Sequence, residues 1–455
     1  MSTFKQVAAL GLLISAGGTV TAAEVVEGRW DAQLVRNENV IPFRLDISGA
    51  GPTLKGTLYD GFRPNENTTS ATFKDGKLVL NIEHYLTTIT ATFENGKLVG
   101  NVVAQTRENR AEYGFVATRH AEPAASTANA PSIAGSWEIP LDAPTSKGEK
   151  AFRFIVEQKG AEVAASILRV DGDTGAYSGT YADGKWVLSH FDGSRPGVIV
   201  VTPAKDGTLE VVQAGERART ATAKAQSGGK KYGESAPDGR YVPTLTAYRP
   251  DVARAKGFPE PANYLTHTTA RDPNEQFTFQ FPDVDGKLIS SNDPQFKGKV
   301  VLAIVTGTWC PNCHDEAQYL VELDKKYRDQ GLAIVALNFE EPEQQDSLTR
   351  VKAFVKQYGV TYPYLIAGAP AEMWEKVPQL VNLNTWPATV FVGRDGTVNA
   401  VHSGFASPAS GEFHAQLKKE FTARIEKLLA ENAKTQKQLS SSAQTNSGET
   451  VASAR

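Results

Sequence analysis

The chain predicts a multidomain protein with two N-terminal antiparallel β modules and a C-terminal α/β domain. Three observations carry this. Up to about residue 224 the sequence runs in short β-rich stretches, such as 42–47, 71–73, 77–82 and 88–93, punctuated by Asp-Gly and Asn-Gly, the pattern of meandering hairpins. Two markers recur about 107 residues apart: Gly28-Arg29-Trp30 returns as Gly135-Ser136-Trp137, and Asp75-Gly76-Lys77-Leu78-Val79-Leu80 as Asp183-Gly184-Lys185-Trp186-Val187-Leu188. From about Asn274 onward, buried-strand patterns alternate with helical ones. The 455 residues leave room for roughly two to four domains.

Taken in order, residues 1–23 have the three-part layout of a secretory signal. Lys5 is followed by apolar 7–14 and by small residues to Ala22-Ala23, where cleavage is expected. The competing reading is a short buried helix. Residues 24–120 form the first β module, 121–131 an Ala/Pro/Ser/Thr-rich joint, and 132–224 a second module repeating the first. The two are separate barrels or halves of one sandwich. Residues 225–273 read as linker and extended segment, 274–432 as the α/β domain, and 433–455, poor in apolar side chains, as a disordered tail. No later apolar run approaches the ~20 residues a membrane span requires. The expectation is an exported mature chain without a transmembrane segment, periplasmic in a Gram-negative cell. With 48 basic against 51 acidic residues, bulk charge argues against a nucleic-acid partner.

Within the α/β domain the apolar run 300–305 leads into Gly307-Thr308-Trp309-Cys310-Pro311-Asn312-Cys313, which holds the only two cysteines of the chain. A ring closed across a dipeptide is too small to staple a domain, so the pair reads as reactive. A helix is expected from about Cys313, with Gly331 as its stop. Cys310, at the mouth of that helix, lies where backbone N–H groups favour a thiolate. Pro311 suits the first helical turn, and Cys313 is placed to resolve a mixed disulfide. Further expected elements are strand 332–337, helix 347–358, strands 389–392 and 397–402, and a last helix 411–431.

Three other chemistries compete for the motif. Structural zinc wants four ligands; no other cysteine exists, and the seven histidines are scattered. His314 completes a C-x-x-C-H pattern of covalent haem attachment, with Met373 available as an axial ligand. Against haem, a buried strand feeds straight into Trp309-Cys310. A thiol peroxidase would want Pro and Thr seven and three residues before the cysteine, where Ala303 and Gly307 stand.

Residues 277–429 resemble the TlpA/ResA-like branch of the thioredoxin superfamily. The likeness rests on Phe279-Gln280-Phe281-Pro282-Asp283-Val284-Asp285-Gly286-Lys287, Gly298-Lys299-Val300-Val301-Leu302, Trp309-Cys310-Pro311-Asn312-Cys313 and Pro387-Ala388-Thr389-Val390-Phe391-Val392 with Asp395-Gly396. The resemblance implies a thioredoxin-like fold and protein thiol-disulfide exchange through a Cys310–Cys313 disulfide, with no other cofactor. It favours the reductant role, fed by a membrane electron donor. It also implies that Pro387 is a cis-proline facing the dithiol, that Trp309, Trp386 and Pro387 bind the client, and that Glu316 is a partly buried proton-transfer acid rather than a surface one. Thioredoxins proper place a buried aspartate where this chain has Ile304, so a proton relay here must use Glu316 or water. A different class of reading makes the β repeats binding modules, with Trp30, Tyr59, Phe62, Trp137 and Trp186 on the binding surface or simply in the core.

Overall fold

A computed structural model describes residues 26–36, 39–105, 110–121, 130–173, 175–194, 196–214, 244–345 and 347–448. The expected leader 1–23 lies outside them, as do most of the 121–131 joint and residues 449–455 of the expected tail.

The first module is one nine-stranded antiparallel sheet in which the first strand, Gly28–Arg36, pairs with the last, Arg110–Arg119. Its two edges are Arg63–Asn67 and Ser70–Lys74, which only Thr68 and Thr69 separate in sequence, so the sheet curls toward itself without closing. Alternation puts Leu34, Leu45, Leu58, Leu80, Ile89, Val102 and Phe115 inside at 0–1% exposure. The hairpins turn where the sequence indicated. Asp75-Gly76, Asn95-Gly96 and Asp183-Gly184 all have positive φ at both positions, as two-residue turns of matching twist demand.

The second module is a separate eight-stranded antiparallel sheet, not half of a shared sandwich. It comes close to closing on itself, because Glu138 and Tyr248 exchange both backbone hydrogen bonds at 2.8 Å. Its last strand is Thr244–Ala247, so the module extends past the expected boundary at 224, and part of the presumed linker belongs to the barrel. The physical reason is the open edge of strand Leu209–Ala214, which needs a partner, and Ala247 is fully buried in meeting that need.

The two modules share one local device. Gly28 and Gly135 both adopt positive φ. Trp30 Nε1 donates to Val26 O at 2.9 Å and Trp137 Nε1 to Ile133 O at 2.8 Å. A guanidinium covers each ring: Arg119 lies 4.2 Å from Trp30 and Arg249 3.8 Å from Trp137. These tryptophans and Trp186 are core residues at 0–4% exposure, which removes them from any binding surface. Tyr59 and Phe62 do line a cleft of about 300 Å³ between the modules.

The C-terminal domain is a five-stranded mixed sheet in the order Tyr364–Gly368, Leu332–Phe339, Val300–Thr306, Ala388–Val392, Val398–Ser403. The first three are parallel and the last two antiparallel. The central strand is buried at every position, which explains its unbroken apolar run. Helices Pro311–Tyr327, Thr349–Tyr358 and Glu412–Gly448 accompany the sheet. Gly331 and Gly359 stop the first two in the left-handed conformation. The last helix continues beyond the expected end near 432 to Gly448, so residues 433–448 are helical rather than an irregular tail. The stretch just past that point, Ala433-Lys434-Thr435-Gln436-Lys437-Gln438-Leu439, is built mostly of good helix formers, with no glycine or proline before Gly448.

Candidate redox site

The strand Val300–Thr306 delivers the chain to the helix Pro311–Tyr327 through one tight corner. Gly307 is required there, because a Cβ would stand 2.4 Å from Trp309 Nε1, and that nitrogen donates to Phe339 O at 2.9 Å. Cys310 is the N-cap in extended conformation, and Pro311 is the first helical residue. Backbone bonds fold the corner: Cys310 N donates to Gly307 O, and Cys313 N to Cys310 O, both at 3.0 Å. The two cysteines lie together without a disulfide bond between them, and each is only 2% exposed.

Across the site the Trp386–Pro387 peptide is cis. The Cys310 thiol donates to Trp386 O at 3.4 Å, so the nucleophile expected from sequence and the expected cis-proline do meet. Trp309 and Trp386 pack edge to face with centroids 5.1 Å apart.

Glu316 is 1% exposed, not a surface acid. Thr389 donates its hydroxyl to Glu316 Oε1, while Oε2 has no hydrogen-bond partner among the described residues. Burial pushes the carboxyl up to about 8; the Thr389 bond opposes the rise and Cys310 adds to it. Thr389 sits directly opposite Ile304 in the sheet. The acid therefore reaches, from the helix, the strand pair where the thioredoxin pattern would place its aspartate. Burial also pushes the Cys313 thiol well above its ordinary range, with its contact to Cys310 adding. It needs a base to become a nucleophile.

His314 does not suit a haem ligand here. Its Nε2 is 2.7 Å from Thr308 O and its Nδ1 2.9 Å from Tyr358 Oη, so both ring nitrogens are engaged. The ring is 2% exposed and flanked by Tyr85, His84 and Phe354. Burial drives its pKa well below 6.5.

Two features escaped the sequence reading. Arg350, 2% exposed, bonds to Glu340, to Glu341 at 2.6 Å and to the Thr308 hydroxyl at 3.2 Å, tying helix Thr349–Tyr358 to the corner before Cys310. Asn312, between the cysteines, donates from Nδ2 to Asp171 O of the second β module at 2.8 Å. The only sequence signal for either was a charged or amide residue where an apolar one would serve packing equally well.

Comparison with known proteins agrees with this geometry. The AhpC/TSA family profile matches residues 273–401. The thiol-disulfide oxidoreductase ResA of Halalkalibacterium halodurans is 29% identical over 154 residues, covering 34% of this chain and 81% of that protein. The thioredoxin-like protein YneN of Bacillus subtilis is 32% identical over 130 residues, 28% of this chain and 70% of that protein. A crystal structure of a thioredoxin-family thiol:disulfide interchange protein from Chlorobium tepidum shares 24% identity and a TM-score of 0.27, covering 35% of this chain and 97% of that one. A buried CxxC pair at a helix start and a profile and relatives confined to the same domain lead to one assignment: through its C-terminal domain the chain belongs to the AhpC/TSA thioredoxin-like proteins related to the ResA/TlpA thiol-disulfide oxidoreductases.

Proposed function

We propose that the protein is exported and reduces disulfides of client proteins, with electrons supplied by a membrane-held dithiol donor. The leader-like residues 1–23 support export, and no described helix is long and apolar enough to cross a membrane. The observation that carries the catalytic reading is the set of groups around the cysteine pair: Cys310 hydrogen-bonded to the carbonyl before Pro387, and a buried carboxyl that meets no cation, Glu316, on the helix that bears Cys313.

In this reading the Cys310 thiolate attacks one sulfur of a client disulfide. A mixed disulfide forms, and the other client sulfur leaves as a thiolate that takes up a proton. Cys313 then gives its proton to Glu316 in its ionised form and attacks Cys310, expelling the second client sulfur, which is protonated in turn. The client gains two electrons and two protons, and the domain is left with a Cys310–Cys313 disulfide that the donor dithiol must reduce. Trp309, Trp386 and Pro387 align the client chain.

Alkylation followed by mass measurement tests this. Cys310→Ala is expected to abolish exchange, whereas Cys313→Ala accumulates mixed disulfides; free turnover by Cys310→Ala sinks the assignment. Equilibration in defined thiol buffers tests direction: a potential more negative than about −200 mV fits a reductant, and one near about −120 mV fits an oxidant instead.

A further inference from the structure

We propose that the turn Arg169–Asp173 of the second β module is a displaceable cover seated on the dithiol, which a client chain must push aside before Cys310 can react. This rests on the exchange reading above. The turn reaches the site at two points. At one, Asp171 O accepts from Asn312 Nδ2 at 2.8 Å, between the two cysteines. At the other, the turn lies along the loop that follows strand Val398–Ser403. Phe405 N donates to Asp171 O at 3.4 Å, and Gly172 bridges to Phe405 in parallel fashion. That loop is itself bonded to the cis-proline, since Gly404 N donates to Pro387 O at 2.8 Å. The cover thus spans from the Pro-Asn dipeptide to the loop held by Pro387.

The fit is close because glycine stands on both sides. A Cβ on Gly172 would lie 2.2 Å from Phe405 O, and one on Gly404 2.3 Å from Val170 O. Both have positive φ. The buried carboxylate of Asp173 fastens the end of the turn, accepting from Ser407 N at 2.8 Å, from Ser407 Oγ at 2.7 Å and from Ser410 Oγ.

Exchange demands that something move, because a sulfur 2% exposed cannot be attacked in line by a client disulfide. The other walls are poor candidates. Trp309, Trp386 and Phe339 are locked into one another and into the sheet. The cover meets the redox domain through a carbonyl, a glycine and a carboxylate. Leaving therefore exposes polar groups that water can satisfy. The occupant that replaces it is an extended client segment, offering a backbone carbonyl to Asn312 Nδ2 and Phe405 N, with a small residue where Gly172 now sits.

The experiment uses the reduced full-length protein, with a bulky maleimide reagent and gel readout of thiol labelling. Gly172→Val pushes the turn off from its own side, and Ser407→Ala/Ser410→Ala releases it from the other without touching the β module. Both are expected to label at least about tenfold faster than the parent, while hydrogen exchange shows residues 169–173 loosened. Labelling of the parent as fast as the urea-unfolded chain overturns the cover. So does an unchanged rate in variants whose turn exchanges freely. Variants that label fast yet reduce no disulfide overturn the exchange reading and leave the cover standing. A parent that reduces a macromolecular disulfide as fast as the variants overturns the cover and leaves exchange standing.

Discussion

Two buried acids flank the corner that presents Cys310, and they keep opposite company. Glu340 is fully buried at the end of the strand beside the central one; Arg350 and the Thr308 hydroxyl both address it, and Glu341 shares the same guanidinium. Glu316 is equally hidden, yet it meets one hydroxyl and no cation. A carboxylate held by a guanidinium fixes geometry; a carboxyl buried without one holds a proton near neutrality. On the proposed reading, the Arg350 cluster holds the corner still and Glu316 moves protons.

Arg350→Ala breaks the first half of that comparison most severely. It leaves Glu340 and Glu341 buried without their cation, and the expected loss is about 3–5 kcal/mol in urea unfolding of the C-terminal domain. A loss below about 1 kcal/mol would mean that water, not Arg350, satisfies the pair.

Glu316→Gln goes the other way. The folded protein keeps this proton up to about pH 8, whereas the unfolded chain releases it near ~4.3. Folding stability is therefore lost as pH rises through that window. Glutamine carries no charge to bury, so the variant is expected to be more stable by about 4–5 kcal/mol at pH 8 and by about 1 kcal/mol at pH 5. The same variant should lose the rise in the resolving step that is expected of the parent through about pH 8. Stability gained equally at both pH values would show that Glu316 is paired after all.

Features written in neighbouring residues could be read from sequence: the Asp-Gly turns, the CxxC pair at a strand-to-helix corner, and Glu316 one turn along the same helix. What escaped is what tertiary contact decides. Strand Tyr364–Gly368 follows Pro363 and carries no alternation, because both of its faces meet the domain. The closing strand Thr244–Ala247 is too short to announce itself and exists because an edge needed covering. The contact of Asn312 with Asp171 joins residues 141 apart. No periodicity relates a dipeptide between cysteines to a turn in another module. The Arg350 cluster is hidden in the same way, since a charge on a helix reads as solvated until the strand beside it supplies two acids.

The smallest change sharpens the comparison most finely. Thr389 is the single hydrogen-bond donor to Glu316 among the described residues, and its hydroxyl favours the ionised carboxylate, opposing the rise that burial imposes. Thr389→Val keeps the shape of the strand and removes only that donor. The stability cost is expected to be about 1 kcal/mol at pH 6, one hydrogen bond's worth. The inflection of the resolving step should move upward from its parent value, because nothing then opposes desolvation. Arg350 is untouched, so the corner stays in place and Cys310 reactivity toward a small disulfide is retained. An inflection that stays where it was would mean that the hydroxyl does not address the carboxylate. The lack of a cation alone would then distinguish Glu316 from its paired counterpart.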